Sequence, residues 1–195
     1  MIFDERVYSV LIVSASAKFN ELVASVLPDG MYSPVIYAES VTIAKRSLID
    51  RNYDMIIINT PLPDEQGTNF AIDACRQGNS VCLLIAKDEY FDEMYDKVVR
   101  QGVFVLSKPL NSMILSRSIK WLESARERLR ALETKASSVE SKMEEIRIVN
   151  KAKWLLIDKK GMSEADAHRF IEKQAMDNSA TKRSVAEKII KLVTE

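Results

Sequence analysis

Histidine is nearly absent from this 195-residue chain: His168 is the single one, and Cys75 and Cys82 are the two cysteines. That scarcity speaks against a His/Cys metal cluster and a disulfide framework, and reduced thiols are expected. The five glycines form no phosphate-cradling loop, and no nucleophile stands beside a base in a catalytic pattern. A non-enzyme without metal or cofactor is therefore expected. No apolar run approaches the ~20 residues needed to cross a bilayer. The N-terminal MIFDERVYSV has no signal-peptide pattern, so the expectation is a cytoplasmic protein with no membrane attachment.

Net charge is absent too, since 28 Lys+Arg offset 28 Asp+Glu, but the balance hides an asymmetry. Residues 1–109 carry 10 Lys+Arg against 15 Asp+Glu, and residues 110–195 carry 18 against 13. A basic second half suits contact with a polyanion, and salt-bridged helix faces account for the same numbers equally well.

What is present begins with short apolar runs. SVLIV (9–13), DMIIIN (54–59), SVCLLIA (80–86) and VFVLS (103–107) fit strands buried on both faces, and SPVIYAES (33–40) a more exposed one. Between them KFNELVASVL, SVTIAKRSLIDR, GTNFAIDACRQG and YFDEMYDKVVRQG fit helices. Strands alternating with helices of this length predict an α/β domain, a five-stranded parallel sheet covered on both sides in the flavodoxin-like order.

A fifth helix begins near Asn111, and no proline or glycine interrupts the chain from there to Lys159. Leu122, Ala125, Leu129, Leu132, Ala136, Val139, Met143 and Ile146 recur in steps of three and four, a heptad seam of about four heptads. A polar helix of this length gains little alone, so the seam predicts a homodimeric coiled coil; the alternative is a helix folded back on its own first domain. The last fifty residues read as three helices. Gly161 is placed as a C-cap, Ser163 as an N-cap with Asp166 three residues on, and Ser179 or Thr181 as the cap of the third. Ala152, Leu155 and Leu156, then Ala167, Phe170, Ile171 and Ala175, then Val185, Ala186, Ile189 and Val193 form the inward sides.

The order LIVSAS…IIINTPLPDEQG…SKP resembles a response-regulator receiver domain. In that family acidic residues after the first strand bind Mg²⁺ beside a phosphoacceptor Asp, a Ser or Thr ends the fourth strand, and Lys-Pro follows the fifth. Here Ser14 and Ala15 replace the acidic pair, Asn59 replaces the phosphoacceptor, and Ile85-Ala86 supplies no hydroxyl; only Lys108-Pro109 matches. An acyl phosphate needs a carboxylate and a divalent cation needs hard anionic oxygens. The resemblance thus implies a degenerate receiver that neither takes phosphate nor binds Mg²⁺ at this site. Lys108 is left either to bond the Asn59 side-chain oxygen or to face solvent, and the family implies a cis Lys108-Pro109 bond. Asp54 is expected at the start of its strand, away from the pocket.

The tail NKAKWLLIDKKGMSEADAHRFIEKQAMDNSATKRSVAEKII is similar to an ANTAR domain. That resemblance implies a three-helix RNA-binding module of transcription antiterminators, acting on leader RNA with paired hairpins. It divides the chain into a receiver (1–122), a coiled-coil helix (111–147) and an ANTAR domain (148–195). Lys151, Lys153, Lys159, Lys160, Arg169, Lys173, Lys182 and Arg183 are the basic residues available to RNA, Arg169 foremost for its planar guanidinium. Trp154 and Phe170 are assigned to the core in preference to base stacking, and His168 to the surface. A DNA-binding regulator and an adaptor docking a regulatory protein through its coiled coil are the competing readings. The acidic start of EADAHRFIEKQAM disfavours a major-groove recognition helix.

Overall fold

The computed structural model describes residues 6–28, 30–77 and 80–194, with the side chains of Gln77, Val193 and Thr194 outside the description. The first half of the MIFDERVYSV segment and the Val193 side chain therefore lie outside the described residues. Two compact units are present, one running to Arg130 and one starting at Ala131.

The first unit alternates β1 (Tyr8–Val13), α1 (Ala17–Val26), β2 (Tyr32–Ala38), α2 (Val41–Asp50), β3 (Met55–Asn59), α3 (Thr68–Gln77), β4 (Val81–Lys87), α4 (Phe91–Val98) and β5 (Phe104–Lys108). All pairings are parallel, in the order β2-β1-β3-β4-β5. Every residue of β3 is buried, as the unbroken apolar run demands of a strand covered on both faces. Edge strand β2 is buried at Tyr32 and Ala38 and half-buried or exposed between them. One face of the sheet packs Phe70, Ala71 and Met94 from α3 and α4. The other packs Phe19 and Val23 from α1 together with Leu115, Ile119 and Leu122 from α5 (Ser112–Lys160). Those three α5 side chains are at most 1% exposed, and burial of each contributes about 1.5–3 kcal/mol.

The loop after β3 needs one glycine. Gly67 has φ +78°, and a Cβ there would lie 2.9 Å from Ile58 Cγ2 and 3.3 Å from Leu62 Cδ1. No other residue fits both the left-handed backbone and that approach.

The seam read from the sequence needs correcting at its start. Leu122 is buried in the first unit's core and Ala125 packs against it, so the sheet supplies the apolar partner that a second helix would otherwise provide. The apolar stripe open to another molecule begins at Leu129 and runs through Leu132, Ala136, Val139, Met143 and Ile146, all exposed.

The second unit holds the rest of α5, α6 (Glu164–Asp177) and α7 (Lys182–Thr194) around Ala152, Leu156, Ala167, Ile171, Val185 and Ala186. Gly161 closes α5 at φ +62°, its N–H donating to the Ile157 carbonyl at 3.1 Å. The Ser163 hydroxyl accepts from the Asp166 N–H and donates to its carboxylate, while Thr181 caps α7 through the Ser184 N–H. Trp154 is 71% exposed, on the solvent side of α5 rather than in the core. Leu156, two residues on, fills the position against α6 and α7 that Trp154 was expected to share.

Candidate functional site

Two places concentrate the sequence-predicted residues, and each belongs to one unit. The first is the carboxyl end of the parallel sheet, where the strand order reverses between β1 and β3 and open α/β sheets bind their ligands. Ser14 follows β1, Asn59 ends β3, and Lys108 ends β5 before a cis Lys108-Pro109 bond. Asn59 Nδ2 donates to Ser14 Oγ at 3.0 Å, and that oxygen also accepts the Ser16 N–H. Asn59 Oδ1 is buried without a hydrogen-bond partner.

Lys108 takes neither of the roles read from the sequence: its Nζ donates to the Thr60 carbonyl at 2.5 Å. Burial, and secondarily the Lys87 ammonium, pulls its pKa below the usual lysine value. Thr60 also spans to β4, its hydroxyl donating to the Ile85 carbonyl. Ile85 and Ala86 are fully buried core residues, and Ala15 is exposed.

The two nearby aspartates are committed elsewhere. Asp64 caps α2, accepting the backbone N–H groups of Val41 and Thr42 and the Thr42 hydroxyl. Those bonds, the Thr42 N–H first, hold its pKa at about 2. Asp54 precedes β3 at the opposite end of the sheet, bonded to Ser9 and to the guanidiniums of Arg126 (2.9 Å) and Arg130 (2.6 Å). The donor set at the Asn59 end is a hydroxyl, an amide and a carbonyl beside an ammonium, which does not fit Mg²⁺. Among the described residues no group of three His, Cys, Asp or Glu could hold a metal ion. An open cleft of about 550 Å³ remains there, lined by Lys18 and Phe19 of α1 together with Asn59, Lys108 and Pro109.

The second place is the basic unit after Ala131. Internal ion pairs engage three of the predicted cations: Lys153 with Glu164 (3.1 Å), Lys182 with Glu172 (2.5 Å) and Arg183 with Glu187 (2.9 Å). Lys159 pairs with neighbouring Asp158 at 3.4 Å, and His168 lies 3.3 Å from Glu172 on the surface. Lys151, Lys160, Arg169 and Lys173 are exposed. Helical geometry sets Arg169 and Lys173 on the outward side of α6, opposite buried Ala167, Ile171 and Ala175, with Phe170 and Gln174 on one flank and His168 and Glu172 on the other.

Phe170 is only partly buried. It lines an open cleft of about 310 Å³ with Lys160, Gln174, Asn178 and Lys188, and the Lys160 ammonium lies 5.8 Å from its ring centroid. Sequence reasoning passes over Gln174, Asn178 and Lys188, because polar residues on amphipathic helices carry no signal until the neighbouring helix closes a cavity beside them.

Comparison with known proteins sets these two places in a class. Residues 137–190 match the ANTAR domain family. Over 139 residues, 70% of this chain and 67% of the relative, the sequence is 27% identical to the transcriptional regulatory protein PdtaR of Mycobacterium tuberculosis, strains H37Rv and CDC 1551 alike. The receiver domain of an HD domain-containing protein from Pseudomonas fluorescens Pf-5 superposes with TM-score 0.57 at 20% identity, over 69% of this chain and 96% of that one. CheY4 of Vibrio cholerae gives 0.52 at 21% identity, over 60% and 98%. At such identities the two structures establish the receiver fold alone. The chain thus joins a receiver fold, a long helix and a segment that matches the ANTAR domain family, in that order. Among the described residues no helix is long and apolar enough to cross a membrane.

Proposed function

We propose that this protein is an RNA-binding transcription antitermination regulator that holds paired hairpins in nascent leader RNA, and that its receiver-fold domain works without phosphorylation at the usual position. The match of residues 137–190 to the ANTAR family carries the reading, because it covers the basic three-helix unit with its caps. Residues 147–195 hold 11 Lys+Arg against 7 acids, which suits phosphate contact, and RNA loops offer unstacked bases beside those phosphates. Of the predicted cations, Lys151, Lys160, Arg169 and Lys173 are the contacts we favour, being exposed, while Lys153, Lys182 and Arg183 would first have to leave their carboxylates.

A homodimer through the Leu129–Ile146 stripe presents two such units to two hairpins and raises affinity through effective concentration. The amide at Asn59, the capping role of Asp64 and the distant, paired Asp54 support a receiver that takes no phosphate.

The test is a gel shift of the full chain on a two-hairpin RNA, titrated with salt, against the same RNA with altered loops and a duplex DNA. Tight binding that disappears when the loops change is the expected result. Equal or stronger binding to duplex DNA would replace this reading with a DNA-binding regulator.

A further inference from the structure

The cleft closed by α5, α6 and α7 has features that no role so far described uses. Resting on the RNA-binding reading above, we infer that it receives one unstacked nucleobase of a hairpin loop, stacked on Phe170. The cavity of about 310 Å³ lies at the lower end of the range for small-ligand pockets, and Leu156, Ile189 and Leu192 give it apolar walls. Phe170 offers a partly open ring, with the Lys160 ammonium 5.8 Å from its centroid. A base inserted there meets an aromatic face, and its backbone passes between Lys160 and Lys188.

The amides at the rim have an edge to read with. Asn178 Nδ2 donates to the Gln174 carbonyl at 2.8 Å and to Gln174 Oε1 at 3.3 Å. That arrangement leaves Asn178 Oδ1 as an acceptor and Gln174 Nε2 as a donor, and acceptors and donors together are what exposed base edges present.

Charge selects this cleft over its neighbour. Among the described residues no carboxylate lines it, whereas Lys160 and Lys188 do. The cleft on the other side of α7 is lined by Glu144 and Glu187 beside its cations, and those carboxylates repel phosphate.

The experiment uses the full chain and a loop hairpin in which 2-aminopurine replaces one loop base at a time. With the wild-type protein, fluorescence at one loop position is quenched on binding. Phe170→Leu keeps the apolar fill and removes the stacking face. It is expected to abolish that quench and to weaken loop-hairpin binding roughly 5- to 150-fold, the span of base–aromatic stacking. The weak, sequence-independent binding to a hairpin with a scrambled loop should be unchanged by this substitution. Lys160→Gln/Lys188→Gln, both exposed positions, should make the log–log salt dependence shallower by about 0.7 for each phosphate no longer neutralised. Wild-type affinity and an unchanged quench in Phe170→Leu overturn the pocket and leave RNA binding standing. If the wild-type protein binds no loop hairpin, both readings fall together. Should Phe170→Leu fail to fold, the double variant decides, and an unchanged salt slope overturns the site.

Discussion

Asn59 stands where a receiver would hold its nucleophile, and its surroundings make the change more than a missing oxygen. Its amide nitrogen is spent on Ser14, and Lys108 reaches past it to the Thr60 carbonyl. Restoring the carboxylate alone restores neither the acidic pair after β1 nor a free lysine. Asn59→Asp is therefore expected to take up no phosphoryl group from a small-molecule phosphodonor with Mg²⁺, as intact-protein mass spectrometry would record. A stable adduct in that variant would show the pocket still competent. The missing phosphoacceptor is legible in the sequence because Asn59 stands eight residues before Gly67 and four before Pro63, where a receiver's aspartate would stand. The Lys108 partner is not, because every residue carries a carbonyl and only the folded loop selects Thr60.

At the scale of the element, the first turns of α5 are fastened to the sheet by charge as well as by apolar packing. Arg126 and Arg130 converge on Asp54, whose side chain is 13% exposed, and Arg130 also covers the Tyr8 ring at 5.4 Å and pairs with Glu127. Tyr32 donates to Glu123 at the same end. Burial pushes the Asp54 pKa up, but the Ser9 N–H and the two guanidiniums outweigh it and leave it below the usual aspartate value. A carboxylate depressed on folding stabilises the protein above its unfolded pKa of about 3.9, and that stability drains away as pH falls through the folded value. Denaturant midpoints measured from pH 6 down to pH 2 should therefore fall below about pH 4, and Asp54→Asn should flatten that fall. Asp54→Ala leaves two cations facing each other and is expected to cost about 3–5 kcal/mol in urea unfolding. The strands are easy to read in runs such as IIIN, but VFVLS, read as buried on both faces, forms edge strand β5, whose residues are exposed or half-buried because no strand pairs its outer edge. The seam is legible as a stripe, but spacing does not say whether a sheet or a second helix fills it, so Leu122 and Ala125 are assigned to the wrong partner. Trp154 is misplaced because helical spacing alone does not identify which face a neighbouring helix covers.

For the molecule as a whole, the stripe on α5 gives the proposed dimer a test that separates assembly from folding. Met143→Lys, at an exposed position, should leave the melting curve nearly unchanged and raise the dimer dissociation constant at least tenfold in sedimentation equilibrium. Leu122→Ala, in the first unit's core, should instead cost about 2–5 kcal/mol of that unit's stability. The same stripe has a further consequence. Its first two positions are occupied by the sheet, so the sheet and a second α5 are rivals for one apolar surface. A change that loosens α5 from the sheet, such as breaking the Asp54 cluster, would release Leu122 and Ala125 and lengthen the zipper by nearly a heptad. In the proposed dimer, weakening the domain would thus tighten the pair and give the receiver-fold domain a means other than phosphate of setting how firmly two chains hold together.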